Sequence, residues 1–258
     1  MQIILFFISV IASTIGSISG IGGGIIIKPI LDLIGTMSPG TINFLSGCTV
    51  LSMALSSFIR SSQTSCQNNY RSTIYLTIGA CIGGTIGKLL FASLLIGIEL
   101  TQSVLLLLIN LFVLAYCYNK HKIKTHSVSD CSACILIGFL LGGVSSFLGI
   151  GGGPINIAVL SYFFSTSPKI TARNSLFIIL LSQLSTLATT LVTNTIPAFN
   201  PTSLFLMCIG GVSGAIIGTR IATIFDDKKT ELFFLIVLIM LIFLNVYNLY
   251  IVLTICYP

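Results

Sequence analysis

The chain has no tryptophan, two histidines and six acidic residues among 258. Charged residues of every kind amount to 7%. A soluble domain carries roughly 25%, so the polar surface that a water-solvated fold requires is missing. Both histidines, His121 and His126, fall in one basic stretch. That leaves no His-Glu-x-x-His metal motif and no Ser-His-Asp set. A Walker-type loop is also absent, so the chain has no nucleotide-driven motor, and no convergent acid, base or nucleophile points to an enzyme. No cofactor is expected. The net charge of +6 would suggest nucleic acid in a soluble protein. In so apolar a chain it reports loop orientation instead, and no nucleic-acid partner is expected.

What is abundant is hydrocarbon. Hydrophobic residues make up 55% and the mean hydropathy is +1.07. The lipid bilayer is therefore the solvent, and at ~20 residues per crossing the length allows about eight crossings. Apolar runs lie near 2–19, 24–36, 42–59, 72–95, 102–118, 132–148, 153–165, 174–193, 202–223 and 232–254. The first lacks the basic region of a signal peptide and leads into a glycine cluster, so it reads as a retained helix. Most of the eight cysteines sit within apolar runs as small hydrophobes. Cys131 and Cys134 form one Cys-x-x-Cys, which without a second pair is weak evidence for metal or redox chemistry.

The chain repeats itself. Gly20-Ile21-Gly22-Gly23-Gly24 returns 129 residues later as Gly149-Ile150-Gly151-Gly152-Gly153. The turn signals Ser38-Pro39-Gly40 and Ser167-Pro168-Lys169 share that offset. Gly79, Gly83 and Gly87 recur as Gly210, Gly214 and Gly218, shifted by 131, a spacing that lets helix backbones approach closely in lipid. The domain reading is a first repeat over 1–119, a basic cytoplasmic linker over 120–130 and a second repeat over 131–258.

Runs 24–36 and 153–165 are too short to cross alone. Either each glycine cluster kinks one crossing helix, or it turns a hairpin whose ends share one face. Lys and Arg bias toward the cytoplasm favours the hairpin. It puts Arg60, Arg71, Lys120, Lys122, Lys124, Lys169, Arg173, Arg220, Lys228 and Lys229 on one face and Lys28 and Lys88 on the other. The kink splits the twelve five against seven. The expected fold is an all-α polytopic membrane protein of two inverted repeats, each a glycine-rich broken-helix hairpin plus three transmembrane helices. Both termini are then outside, and labelling of Cys66 from the cytoplasm would test it.

Short helices should start at Ile25 and Pro154, and Pro suits a first helical position. A helix N-terminus presents free N–H groups and roughly half a positive charge. Two such starts, cleared by Gly22, Gly23, Gly24, Gly151, Gly152 and Gly153, would cradle a small anionic solute. The plainer reading of these glycines is close helix packing. Ser19, Ser46, Asn156, Asn174 and Ser175 are candidate ligands, with Ser17, Thr49, Ser145, Ser146 and Gln183 nearby. Any of the hydroxyls could instead bond a carbonyl of its own helix. Lys28, one turn into the first short helix, is either a site residue or a lysine snorkelling to the outer surface. Lys88 and Arg220, which end the glycine-spaced helices, are expected to snorkel.

The doubled motif, with Pro29 five residues past the first cluster and Pro154 directly after the second, resembles the TauE/SafE family of sulfite exporters. Ala172-Arg173-Asn174-Ser175 is similar to that family's Ala-x-Gly-Thr/Ser stretch, and Gly210 to Arg220 to its glycine-rich helix. The resemblance spans essentially the whole chain. It implies an anion carrier of the bacterial inner membrane, with sulfur-containing oxyanions or organosulfonates as substrates. Ala158 stands where the first half has Pro29, and Asn174 where the family has a small residue. A passive anion channel and a non-transporting scaffold remain the alternatives to a carrier. A homo-oligomer is compatible with the sequence.

Overall fold

The computed structural model describes residues 1–61, 70–93, 98–128 and 130–256; Cys66 lies outside them. Among the described residues the ordered elements are all helical. They are α1 (Gln2–Ser19), α2 (Gly24–Ile34), α3 (Pro39–Ser61), α4 (Tyr70–Ser93), α5 (Ile98–Asn119), α6 (Cys131–Leu148), α7 (Pro154–Phe164), α8 (Pro168–Val192), α9 (Pro201–Ile224) and α10 (Asp227–Cys256). Eight are long and apolar enough to cross a membrane. The exceptions, α2 and α7, have 11 residues each, about 16 Å of helix. The chain is a multi-pass membrane protein. Phe112 and Phe243 are about 70% exposed on its outer face, where lipid replaces water.

Local chemistry sets the helix ends. Asp130 caps α6, accepting the Ser132 hydroxyl at 2.5 Å and the Ala133 N–H at 3.4 Å. Those two bonds hold its carboxyl below the usual range. Asn200 caps α9 through the Thr202 N–H at 2.9 Å. At the glycine clusters, α1 stops at Gly20 (φ 76°) and α6 at Gly149 (φ 68°). The left-handed residue returns its N–H to the preceding turn in both, at Gly16 O and Ser146 O.

After each stop the chain doubles back. A Cβ placed on Gly16 would lie 2.5 Å from the Gly23 nitrogen, and one on Gly23 would lie 3.2 Å from the Ala12 carbonyl. In a continuous helix residues 12 and 23 would be ~16 Å apart. In the second half the His126 N–H donates to Tyr162 O at 2.8 Å and the Val128 N–H to Phe163 O at 2.9 Å. The entrance to α6 and the exit of α7 therefore sit together, at one end of the bundle. A kinked through-helix would separate them by the membrane.

Contacts fix the helix directions. Thr41 bonds Ala198 O, the Phe44 and Phe199 rings meet at 5.1 Å, and Ser52 bonds Cys208 O, so α3 and α9 are parallel. Cys81 reaches Leu181 O and Thr85 meets Ser185, so α4 and α8 are parallel. Gly210, Gly214 and Gly218 step along α1 from Phe6 to Thr14, and Gly138 and Gly142 step along α4 from Leu76 to Ala80. Gly47 beside Gln183 and Phe58 against Phe177 make α3 and α8 antiparallel. Thus α1, α3 and α9 run one way, and α4, α6 and α8 the other. The matched helices α1 and α6 point in opposite senses. Each glycine-spaced helix packs on the hairpin helix of the other half, α9 on α1 and α4 on α6, with carbonyls where side chains would stand.

In a variant whose only cysteines are Cys131 and an introduced Ser165→Cys, both are expected to react with an impermeant maleimide from the same membrane face. Labelling from opposite faces would restore the kinked crossing.

Candidate functional site

The two glycine turns touch. Gly24 sits against the Ile150 carbonyl, and a Cβ on Gly152 would lie 3.3 Å from the Ile21 carbonyl. No larger residue fits at Gly24, where its Cβ would also lie 2.9 Å from Val50. Val50 is the central residue of α3 and also packs on Gly151. Its counterpart 129 residues on, Ile179, is beside the centre of α8 and packs on Gly22 and Gly152. The meeting point is thus at the mid-length of two crossing helices, the depth at which irregular backbone needs shelter in protein.

Each turn joins the carbonyl end of one helix to the N–H end of the next. The carbonyl ends are bonded individually. Ser175 donates to Gly20 O at 2.7 Å. Lys28 is buried and donates to Leu148 O at 2.8 Å and to the Gln102 side chain, whose own amide donates to Phe147 O at 2.6 Å. The N–H ends are treated differently. Unlike α6 and α9, neither α2 nor α7 has a side-chain cap, and their N-cap residues are Gly23 and Gly153. Both starts are buried. Buried helix starts normally have their first N–H groups satisfied by caps, water or ligands.

The other candidates divide. Ser19 bonds Ile15 O of its own helix at 2.8 Å and accepts the Ile21 N–H at 3.4 Å. Among the described residues the buried Ser46 hydroxyl and the Asn156 carbonyl oxygen have no protein partner, and the same holds for both amide atoms of Asn43 and for Ser145. Asn174 is half-buried. Lys28 does not snorkel, because two acceptors fix its ammonium inside the protein. Lys88 and Arg220 both line cavities. Cys134 is buried and Cys131 exposed.

Open volume lies on either side of the turns. One cavity of about 500 Å³ is lined by Ser17, Ser57, Leu176 and Ala172, with Arg60, Lys169, Arg173 and Arg220 around it. A second, of about 20 Å³, is lined by Ser146, Thr186, Gly47 and Asn43, with Lys88 and Gln183. The linings correspond through the 129-residue repeat: Ser17 with Ser146, Ser57 with Thr186, Leu176 with Gly47, Ala172 with Asn43. Even a hydrogen bond is repeated, Ser17 to Ser57 at 3.1 Å and Ser146 to Thr186 at 3.1 Å. The first volume falls in the ~300–1,000 Å³ range of ligand clefts. The second holds about one water. Sequence reasoning named Ser17, Ser146 and Gln183 but missed the rest of the cavity walls. Arg60, Arg173 and Arg220 were legible as markers of one face, and the hairpin topology already put their helix ends together.

Lys28→Met should lower stability by about 1–3 kcal/mol, the cost of leaving the Leu148 carbonyl and Gln102 unpaired. Unfolding in detergent measures it.

Comparison with known proteins identifies the family. The family model for the sulfite exporter TauE/SafE matches residues 5–245. The probable membrane transporter protein YunE of Bacillus subtilis (strain 168) is 28% identical over 211 residues, which cover 71% of this chain and 76% of that protein. No solved structure gives a significant match. With a family match running almost end to end on a doubled, glycine-broken helical membrane fold, the chain belongs to the TauE/SafE family of membrane transporters.

Proposed function

We propose that the protein is a secondary carrier of a small anion, working by alternating access between two inverted repeats. The reading rests chiefly on one observation: two buried helix starts without side-chain caps meet at mid-depth, while the adjoining carbonyl ends are bonded by Ser175, Lys28 and Gln102. The uncompensated partial charge there is positive, which suits an anion and repels a cation. Buried Ser46, Asn43 and Asn156, which have unpartnered polar atoms, are the side chains available to complete its shell.

Unequal cavities at equivalent positions support alternating access. One side is wide and the other is closed to about one water, as expected if the repeats exchange conformations between the two faces. This state would be open on the face of Arg60 and Arg220, which the positive-inside bias makes cytoplasmic. The bacterial inner membrane and external termini follow from the same reasoning. A channel would need both sides open together. Sulfur-containing oxyanions and organosulfonates are the substrate class, an assignment supported by the family's description. With no nucleotide site in the sequence, the driving force is an ion or substrate gradient.

Purified protein in proteoliposomes should move labelled sulfite saturably and show counterflow, with sulfonates competing better than simple carboxylates. Gly22→Leu and Gly152→Leu should each abolish transport, while a loop substitution such as Thr195→Ala should not. Unsaturable flux would indicate a channel. Equal flux in all variants would remove the glycine turns from the mechanism.

A further inference from the structure

The two cavities share their geometry but not their charge. Arg60, Lys169, Arg173 and Arg220 surround the wide one. The residues at the matching positions of the other half are Thr189, Gly40, Phe44 and Leu89, all uncharged. The narrow cavity has Lys88 in its wall, and the position matching Lys88 is Thr219. Topology alone asks only for basic residues somewhere at a cytoplasmic helix end. Here three elements, the end of α3, the start of α8 and the end of α9, bring them around one concave volume that Thr230 of α10 helps to close. Asp227 stands at the rim, its carboxylate taking the Lys169 backbone N–H at 3.1 Å, and the Lys169 ammonium lies 3.4 Å from Thr223 O.

A concave site lined by one sign of charge between low-dielectric walls concentrates counter-ions and raises their capture rate. The floor of this one carries Ser17 and Ala172 against the first glycine turn, where Ala172 packs on Gly20. We propose that the wide cavity is an anion-loading vestibule that makes the carrier kinetically asymmetric. A small anion is captured from this face at lower concentration than from the opposite one, where a single lysine lines the closed cavity. The asymmetry is carried by fixed side chains, so it weakens as salt screens them. It concerns rates and KM; the gradient alone sets the direction of net flux. The proposal rests on the anion-carrier reading, but its first test does not require transport.

The sequence has no tryptophan, so Ile170→Trp, in the cavity wall, gives a single tryptophan in the full chain, whose emission is read by exciting it selectively over tyrosine. In phosphatidylcholine nanodiscs at low ionic strength, iodide should quench it roughly tenfold more efficiently than neutral acrylamide. Added sulfate should suppress that excess, and Arg60→Gln with Arg173→Gln and Arg220→Gln should remove it. Equal quenching by iodide and acrylamide, or an excess that survives the three substitutions, overturns the vestibule. An excess abolished when phosphatidylglycerol replaces part of the phosphatidylcholine assigns the arginines to lipid headgroups and overturns it as well. In sided proteoliposomes, KM for sulfite should be lower from the vestibule face, rise there with added salt and rise in the triple variant. Equal, salt-insensitive KM values on both faces overturn the asymmetry while leaving transport intact. Absence of any flux would instead fail the carrier reading, with the quenching result standing separately.

Discussion

The structure depends on how a broken backbone is accommodated at mid-membrane. Every helix end leaves four backbone groups without intrahelical partners, and the hydrocarbon core provides no water to satisfy them. Two turns therefore concentrate many orphan groups in one place. The protein resolves the carbonyl side with donors sent from elsewhere: a serine from α8, a lysine from α2 and a glutamine from α5. It supplies no side-chain cap to the N–H side. In the proposed function that imbalance gives the centre its sign, without a buried arginine and with the lysine charge already engaged.

The same bonds tie the halves together. Lys28 belongs to the first half and secures the end of α6 in the second; Ser175 belongs to the second and secures the end of α1 in the first. The glycine stripes repeat this exchange on a larger scale, with α9 seated on α1 and α4 on α6. Backbones in that close contact resist sliding, because a shift of one residue would bring side chains against carbonyls. In the proposed alternating-access cycle the rigid units would be a hairpin together with the glycine-spaced helix of the opposite half, with α3 and α8, which touch both turns at their centres, as the pivot.

Much of this was written in the chain and some was not. The 129-residue offset predicts equivalent turns, and the charge count predicts hairpins, because both depend only on residue identity along the sequence. Helix pairing across the halves is foreshadowed by Gly79 and Gly210, since small residues mark close approach, but the spacing does not name the partner helix. Lys28 was ambiguous for a physical reason: a long side chain reaches either the surface or an interior acceptor, and only the placement of Leu148 and Gln102 decides. The cavities were invisible because their walls are assembled from several helices, five around the wide one and four around the narrow one. Arg173 and Arg220 could be assigned to a face but not to a wall.

A duplicated fold need not be functionally symmetric, and this chain separates the two properties by residue type. Positions that set backbone geometry are kept in both halves: the glycine clusters, the serines at 17 and 146, the serines at 46 and 175, the branched residues at 50 and 179. Positions that set the field are not, since Arg60, Lys169, Arg173 and Arg220 each face a neutral counterpart. In the proposed alternating-access cycle geometry must match, because either half would adopt the conformation of the other. Charge is free to differ because the field acts on the arriving solute and not on helix packing; exposed charges contribute little to stability. A symmetric scaffold can in this way carry an asymmetric electrostatic profile from one face to the other, with the glycine turns fixed between them.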